Sequence, residues 1–366
     1  MQMLDLKAQY LSYKDEIDAA VKGVVDSTCF IGGEEITSLE NELSAYVGVP
    51  FSVGCSSGTD ALLLALMAGG VSAGDEVITT AFTFIATAEV PKLLGAKPVF
   101  VDVDKDTYNI DVSKIEQAIT SKTKAIVPVS LFGLTAEMDA INEIAAKHNL
   151  VVIEDAAQSF GAEYHKKKSC NLSTFACTSF FPAKPLGCYG DGGAVFCREL
   201  THAKHMKMLL NHGMEKRYHH DIIGFNGRLD AIQAAILRVK LRHFDGEVKK
   251  RIEIAKHYSE NLKSDFIKPQ EIPQNCQSVF AQYCYTLPSK EKREGMIEHY
   301  KKSDIPCAVY YPIPLHLQKA FQDLNYKKGD LPVTEDLSDR IIAIPLHPFL
   351  KEADRDKVIS STLNFS

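Results

Sequence analysis

Residues 51–68 read FSVGCSSGTDALLLALMA, and the fold turns on how this stretch divides. Phe51 to Cys55 is a short strand-like run, and Thr59 to Ala68 carries its apolar residues at helical spacing. Between them, Gly54-Cys55-Ser56-Ser57-Gly58-Thr59-Asp60 is a strand-to-helix turn. The same alternation continues downstream. Strands are predicted at Glu76 to Thr79, Pro98 to Val103, Lys124 to Val129 and Leu150 to Glu154. Helices are predicted at Ile85 to Leu94, Val112 to Ile119 and Ala136 to His148. The runs at Pro98 to Val103 and Leu150 to Ile153 lack clean polar alternation, which marks strands covered on both faces. The expectation is therefore an α/β fold with a mostly parallel sheet flanked by helices.

Beyond Asp155 the rhythm shortens. Strands are expected at Thr174 to Phe181 and Gly193 to Cys197, then a helix from about Thr201 to Leu210 and a long polar loop from Asn211 to Asn226. Leu229 to His243 and Val248 to Leu262 read as two helices, the second bridging to a smaller C-terminal unit. That unit would hold a strand at Gln282 to Leu287, a helix from Glu291 to Ser303 and a strand ending at Tyr311. The predicted domains are 1–245 and 246–366.

Composition narrows the function. Against 47 acidic residues stand 41 Lys and Arg, a net charge of −6 that offers no basic excess for nucleic acid. The longest apolar stretches, such as Ala61 to Met67, fall well short of the roughly 20 residues that cross a bilayer. Residues 1–20 are too charged for a secretory signal, so a cytoplasmic location is expected. The nine cysteines are odd in number and include no Cys-x-x-Cys pair, so they are assigned neither disulfides nor metal.

Three places can carry chemistry. At Gly54 to Asp60, the N–H groups at a helix start suit an oxyanion such as phosphate, with Gly58 allowing close approach. The same letters match Gly-x-Ser-x-Gly, a hydrolase elbow with Ser56 as nucleophile, or a plain turn and cap. At Glu154-Asp155-Ala156-Ala157-Gln158, Asp155 ends a strand, where a carboxylate faces the ligand crevice or caps a following turn. At Phe181-Pro182-Ala183-Lys184-Pro185-Leu186-Gly187, the prolines stiffen the backbone around Lys184, which is otherwise a solvated loop lysine. Together, a lysine able to form a Schiff base, a carboxylate for a ring nitrogen and a phosphate cradle are what pyridoxal phosphate requires.

These motifs, with Met3-Leu4-Asp5-Leu6, Asn226-Gly227-Arg228-Leu229-Asp230 and Tyr311-Pro312-Ile313-Pro314-Leu315, resemble the DegT-type sugar aminotransferases over essentially the whole chain. The resemblance implies a fold-type I enzyme, with a large domain built on a seven-stranded sheet and a smaller α+β C-terminal domain. It also implies pyridoxal 5'-phosphate as cofactor, with pyridoxamine 5'-phosphate as its aminated form. Lys184 would bind the cofactor and then move the proton. Asp155 would pair with the ring nitrogen, Phe84 would stack on the ring unless it is a core aromatic, and Gln158 would lie nearby. Gly58, Thr59 and Ser179 would hold the phosphate, with Asn226 reaching in from the second subunit of a homodimer.

The resemblance is nearest the branch that aminates carbon 3 of UDP-2-acetamido-2-deoxy-3-oxo-glucuronate, with L-glutamate as donor, for surface polysaccharide synthesis. That branch commonly has a histidine before Tyr-Pro-Ile-Pro, whereas this chain has Tyr310. A 3- or 4-aminotransferase of a dTDP- or UDP-linked keto-6-deoxyhexose is the alternative. A serine hydrolase using Ser56 and a non-catalytic cofactor-binding regulator are the rivals of other classes. Expected substrate contacts are Arg228, for a uronate carboxylate, with Tyr310, Tyr311 and His316. Arg217, Tyr218, His219 and His220 lie on the long loop and could close over the sugar, while Lys166 to Lys168 read as an exposed turn. No metal site is expected.

Overall fold

The computed structural model describes residues 1–365. Helices α1 (Leu6–Ser12), α2 (Lys14–Ser27) and α3 (Glu34–Val47) precede the alternating region. That region runs β1 (Phe51–Cys55), α4 (Gly58–Ala68), β2 (Glu76–Thr80), α5 (Ala86–Leu93), β3 (Lys97–Val101), β4 (Thr123–Ile126), α6 (Met138–Lys147) and β5 (Val151–Asp155). A small hairpin, β6 (Glu163–Tyr164) and β7 (Lys167–Lys168), leads to β8 (Phe175–Ser179), β9 (Gly193–Cys197) and α7 (Leu200–Leu209).

Seven of these strands form one sheet in the order β1-β9-β8-β5-β4-β2-β3. All neighbours are parallel except at β9, which is antiparallel to both β1 and β8. The fold is thus the expected mostly parallel α/β sheet. Successive strand residues point to opposite faces, which explains the missing polar alternation. Ile153, Phe175 and Val195 join α4, α5 and α7 on one side. Ala176 and Phe196 pack against α3 and the helix after Asp230 on the other, and Val152 packs against α6. Each buried Leu, Val, Ile or Phe side chain contributes about 1.5–3 kcal/mol relative to exposure, so two covered faces hold the sheet firmly.

The rest of the chain starts with hairpin β10 (Met214–Lys216) and β11 (His219–His220), then helix α8 (Ala231–Asn261). Strands β12 (Lys268–Pro269), β14 (Tyr283–Thr286) and β15 (Ile341–Ile344) make a three-stranded sheet in that order, while β13 (Cys276–Gln277) pairs with β6. Helices α9 (Lys290–Lys302), α10 (Pro332–Arg340) and α11 (Glu352–Leu363) complete this α+β part. Tyr258, Tyr285, Met296, Tyr300, Ile342 and Val358 form its own hydrophobic cluster.

Four expectations change. Val112 to Ile119 forms two single 3₁₀ turns, at Val112–Lys114 and Glu116–Ala118. The long loop contains the β10–β11 hairpin. The strand ending at Tyr311 is reduced to a single bridge, Ala308 to Ala343. The two helices at 229–262 are one helix, α8. An internal glycine costs about 1 kcal/mol, and buried Phe244, Glu247 and Val248 around Gly246 outweigh it. The Lys166 turn is the exposed tip between β6 and β7.

Candidate active site

Strand direction gathers the site. Because β9 runs backwards, its first residue, Gly193, pairs with Cys55 and Ser179, the last residues of β1 and β8. The carboxyl ends of β1, β5 and β8 therefore open at one edge, where open α/β sheets place ligands.

At β1, Ser57 caps α4, its Oγ accepting from Asp60 N at 3.0 Å. The Ser-x-x-Asp spacing is a helix-start signature that points to Ser57 as the cap. A Cβ added to Gly58 would come within 2.6 Å of Ser179 Cβ, and one on Gly193 within 2.4 Å of Ser57 O. Two bare glycines thus let the helix terminus lie against the ends of β8 and β9, with the Ser179 hydroxyl beside it. Thr59 follows in the first turn of α4. Ser56 donates its hydroxyl to the Asp60 carboxylate, and among the described residues it has no histidine partner. The hydrolase elbow therefore lacks its base.

At β5, the Asp155 side chain is buried. Its Oδ2 accepts from Thr87 Oγ1 at 2.7 Å and its Oδ1 from Ala157 N at 3.2 Å. The second contact is the local turn cap considered from sequence, and it coexists with the first. Burial pushes the Asp155 carboxyl up, while Thr87, Ala157 and the charge of Lys184 pull it down. Thr87, on α5, was not foreseen, since nothing in its spacing separates it from an ordinary helix residue.

After β8, the chain turns at once: Lys184 N donates to Phe181 O at 2.8 Å, and Phe181 N to Ser179 Oγ at 3.2 Å. Lys184 as a whole is only half-buried, but its amine end is enclosed, and the amine governs titration. Desolvation lowers its pKa from 10.5, and Asp155 partly restores it. Lys184 is therefore no freely solvated loop lysine. The structure brings its amine and the Asp155 carboxylate into each other's field.

Gln158 is buried and bound at both ends: Oε1 accepts from Phe132 N at 2.9 Å, and Nε2 donates to Tyr311 Oη at 3.0 Å. Tyr311 packs edge-on against Phe82, and Tyr310 lies 5.9 Å from it, ring centre to ring centre. Phe84 is 54% exposed in the β2–α5 loop, so the core-aromatic alternative falls. Its carbonyl oxygen lies 3.4 Å from Thr87 Oγ1, the hydroxyl that donates to Asp155.

Gly227 O accepts from Ser56 N at 2.8 Å, which lays the Asn226–Arg228 segment beside the α4 terminus. Arg228 binds the Asn211 side chain and lines a cavity of about 520 Å³ with Ser56, Ser57, Asp60, Asp230 and Gln233. Asn226 itself is exposed. His316 is 2% exposed, with Nε2 3.1 Å from Glu335 Oε1 on α10, so it offers no open face to a sugar.

Comparison with known proteins gives the family. A model of the DegT/DnrJ/EryC1/StrS aminotransferase family matches residues 12–363. The chain is 48% identical over 363 residues, 99% of each chain, to the UDP-2-acetamido-2-deoxy-3-oxo-D-glucuronate aminotransferase of Pseudomonas aeruginosa. It is 43% identical to a "pleiotropic regulatory protein" of Geobacillus stearothermophilus, over 99% of this chain and 98% of that one. Among solved structures, S. venezuelae DesV in complex with a ketimine intermediate superimposes with a TM-score of 0.96 at 36% identity, covering 98% of this chain and 96% of that one. The described residues hold no helix long and apolar enough to cross a membrane. The chain thus belongs to the DegT/DnrJ/EryC1/StrS aminotransferase family, the pyridoxal phosphate-dependent sugar aminotransferases.

Proposed function

We propose that this aminotransferase moves the amino group of L-glutamate to carbon 3 of UDP-2-acetamido-2-deoxy-3-oxo-D-glucuronate, for surface polysaccharide or lipopolysaccharide synthesis in the cytoplasm. The carrying observation is the enclosed Lys184 amine in the field of buried Asp155, at the carboxyl end of a parallel sheet. Support for the sugar comes from the 48% identity to the Pseudomonas enzyme over 99% of both chains.

The residues fit the cofactor. Its phosphate suits the α4 terminus at Gly58 and Thr59 with the Ser179 hydroxyl, where N–H groups and the helix dipole favour an anion. The exposed ring of Phe84 suits the flat face of a pyridine, and Gln158 lies on the neighbouring loop end. Bound pyridoxal phosphate supplies an aldehyde that carries nitrogen and a ring that accepts the electron pair released at carbon. Asp155 holds a proton on the ring nitrogen, and Thr87 orients Asp155 for it. Lowering the Lys184 pKa leaves more neutral amine, the form that attacks a carbonyl carbon and accepts a proton. Lys184 Nζ then moves the proton at the amino-bearing carbon of donor and acceptor. Arg228 meets the uronate carboxylate with a directional guanidinium pair, and Tyr310 and Tyr311 contact the sugar.

The reading includes a homodimer in which Asn226 of each subunit reaches the other's phosphate. Exposed apolar Phe84, Phe181 and Ile223, the last 88% exposed, support a second copy covering this region. It also includes two domains, 1–245 and 246–366. The separate C-terminal cluster supports that division, with α8 passing through the boundary.

Borohydride reduction of the loaded enzyme and peptide mapping should place a pyridoxyl group on Lys184. Keto nucleotide sugars assayed with glutamate should then show preference for the UDP-linked 3-oxo-uronate. Preference for a dTDP- or UDP-linked keto-6-deoxyhexose would move the substrate to that alternative. Loaded protein that turns over none of them would favour a regulator.

A further inference from the structure

The loop that carries Lys184 is held from below by one face of α8. Gln233, Lys240 and Glu247 are spaced by seven residues, two helical turns each, and so share a stripe. Gln233 Oε1 accepts from Tyr189 N at 2.9 Å, and its amide crowds Gly190. Lys240 Nζ donates to the carbonyl oxygen of Gly187 and lies 5.2 Å from the centre of the Tyr189 ring. Gly187 closes the loop on itself, since a Cβ there would stand 2.7 Å from both Phe181 O and Pro182 O. The one charged donor on this stripe therefore grips the point where the Lys184 turn ends.

From the Lys184 reading above, we infer that Lys240 is a positioning residue for Lys184, acting through the Gly187 carbonyl from a polar stripe on α8. Lys240 is 2% exposed, and a buried ammonium is retained only where it is paired and hydrogen-bonded. Its hydrogen bond is to the Gly187 carbonyl, and the charge of Glu247, two turns along, favours the ammonium; Glu247 in turn accepts from Gln9 Nε2 of α1 at 2.9 Å on both oxygens. Burial lowers the Lys240 ammonium to about 8, and Glu247 opposes that shift. The groups facing it are Glu247 and Arg251 on α8 and Cys188 and Tyr189 on the loop. Gln9 of α1 and Tyr13, between α1 and α2, bear on Glu247. A chain thus runs from Gln9 through Glu247 and Lys240 to the carbonyl at the end of the Lys184 turn. None of these groups touches reacting atoms, so their effect is on where the amine sits.

The test uses the cofactor-loaded enzyme with Lys240→Met, which keeps the side-chain volume and removes the donor and charge. We expect kcat to fall about tenfold while KM for glutamate changes by less than about twofold, as for a displaced reacting group. The pH midpoint of the bound cofactor's visible absorption should shift by about half a unit, because a displaced amine stands at a different distance from the Asp155 carboxylate. Lys240→Arg, which keeps charge and donors, should recover both. A Lys240→Met enzyme with unchanged kcat and unchanged absorption overturns the inference, as does one that only melts earlier. If Lys240→Met does not fold, Glu247→Gln, which removes the charge that favours the Lys240 ammonium, should shift the same midpoint, and an unmoved midpoint overturns the inference. Peptide mapping that finds no pyridoxyl group on Lys184 in the unaltered enzyme removes the functional reading instead, so the two failures are distinct.

Discussion

Glu154 and Asp155 are consecutive on β5, both buried and both carboxylic, yet they face opposite sides of the sheet and end in different chemistry. Glu154 is 0% exposed and surrounded by donors: Ser130 Oγ and Ser169 Oγ at 2.8 Å and Cys170 N at 2.9 Å. These donors come from separate loops, so Glu154 pins them together. Asp155 has one hydroxyl and one amide, and its remaining capacity meets the charge of Lys184. Burial raises the pKa of both. Burial therefore does not mark the reactive member of the pair. What distinguishes Asp155 is a titratable cation across an open strand end.

The sharpest test removes that cation. Lys184→Ala should keep the fold by circular dichroism and gel filtration and lose at least roughly 10³-fold in turnover, the scale of a lost acid and base. Full activity in that variant ends the assignment. The two carboxylates should then separate. Asp155→Asn removes a charge opposite a ring nitrogen and should cost roughly 10³-fold in kcat/KM, about 4 kcal/mol at an effective dielectric near 20. Glu154→Gln instead presents an amide to Cys170 N. It should lower stability by about 1–3 kcal/mol in urea titration with turnover per folded enzyme unchanged. Equal losses of activity in both variants would break the contrast.

Thr87→Val sharpens it further. Removing one hydrogen bond to Asp155 should cost about 1 kcal/mol of orientation, roughly fivefold in kcat, and raise the Asp155 pKa. The smallest effect is on pH dependence in the cofactor-free protein. The folded-state pKa of Lys184 is below the 10.5 of the unfolded chain, so between the two values the unfolded state binds the extra proton. Stability from this group is complete above 10.5 and is lost as pH falls through the folded value. Melting temperature should therefore rise with pH across that window, and Lys184→Met should flatten the rise.

The sheet was readable because covered parallel strands leave a simple trace: Val99-Phe100-Val101 or Val151-Val152-Ile153 can hardly be anything else between turn residues. Lys184, Asp155 and the α4 turn were readable for a related reason, since each directly follows such a strand or a short turn after it. Thr87 and Lys240 were not. Each matters through a partner 68 or 53 residues away, and neither helix has a pattern that announces the contact. The partner of His316 was equally hidden: it follows Tyr-Pro-Ile-Pro in sequence, and three-dimensional packing gives it Glu335. The two helices expected at 229–243 and 248–262 are one because burial around Gly246 outweighs its weak helix propensity.

Helix α8 has 31 residues, about 46 Å at 1.5 Å per residue, and its ends belong to different hydrophobic clusters. A rod of that length without an interruption contains no hinge. Rocking of the C-terminal sheet has to be absorbed where the rod is joined to its neighbours, or else travels along it as a lever. One covalent element thus carries both the Lys240 stripe and part of the C-terminal cluster.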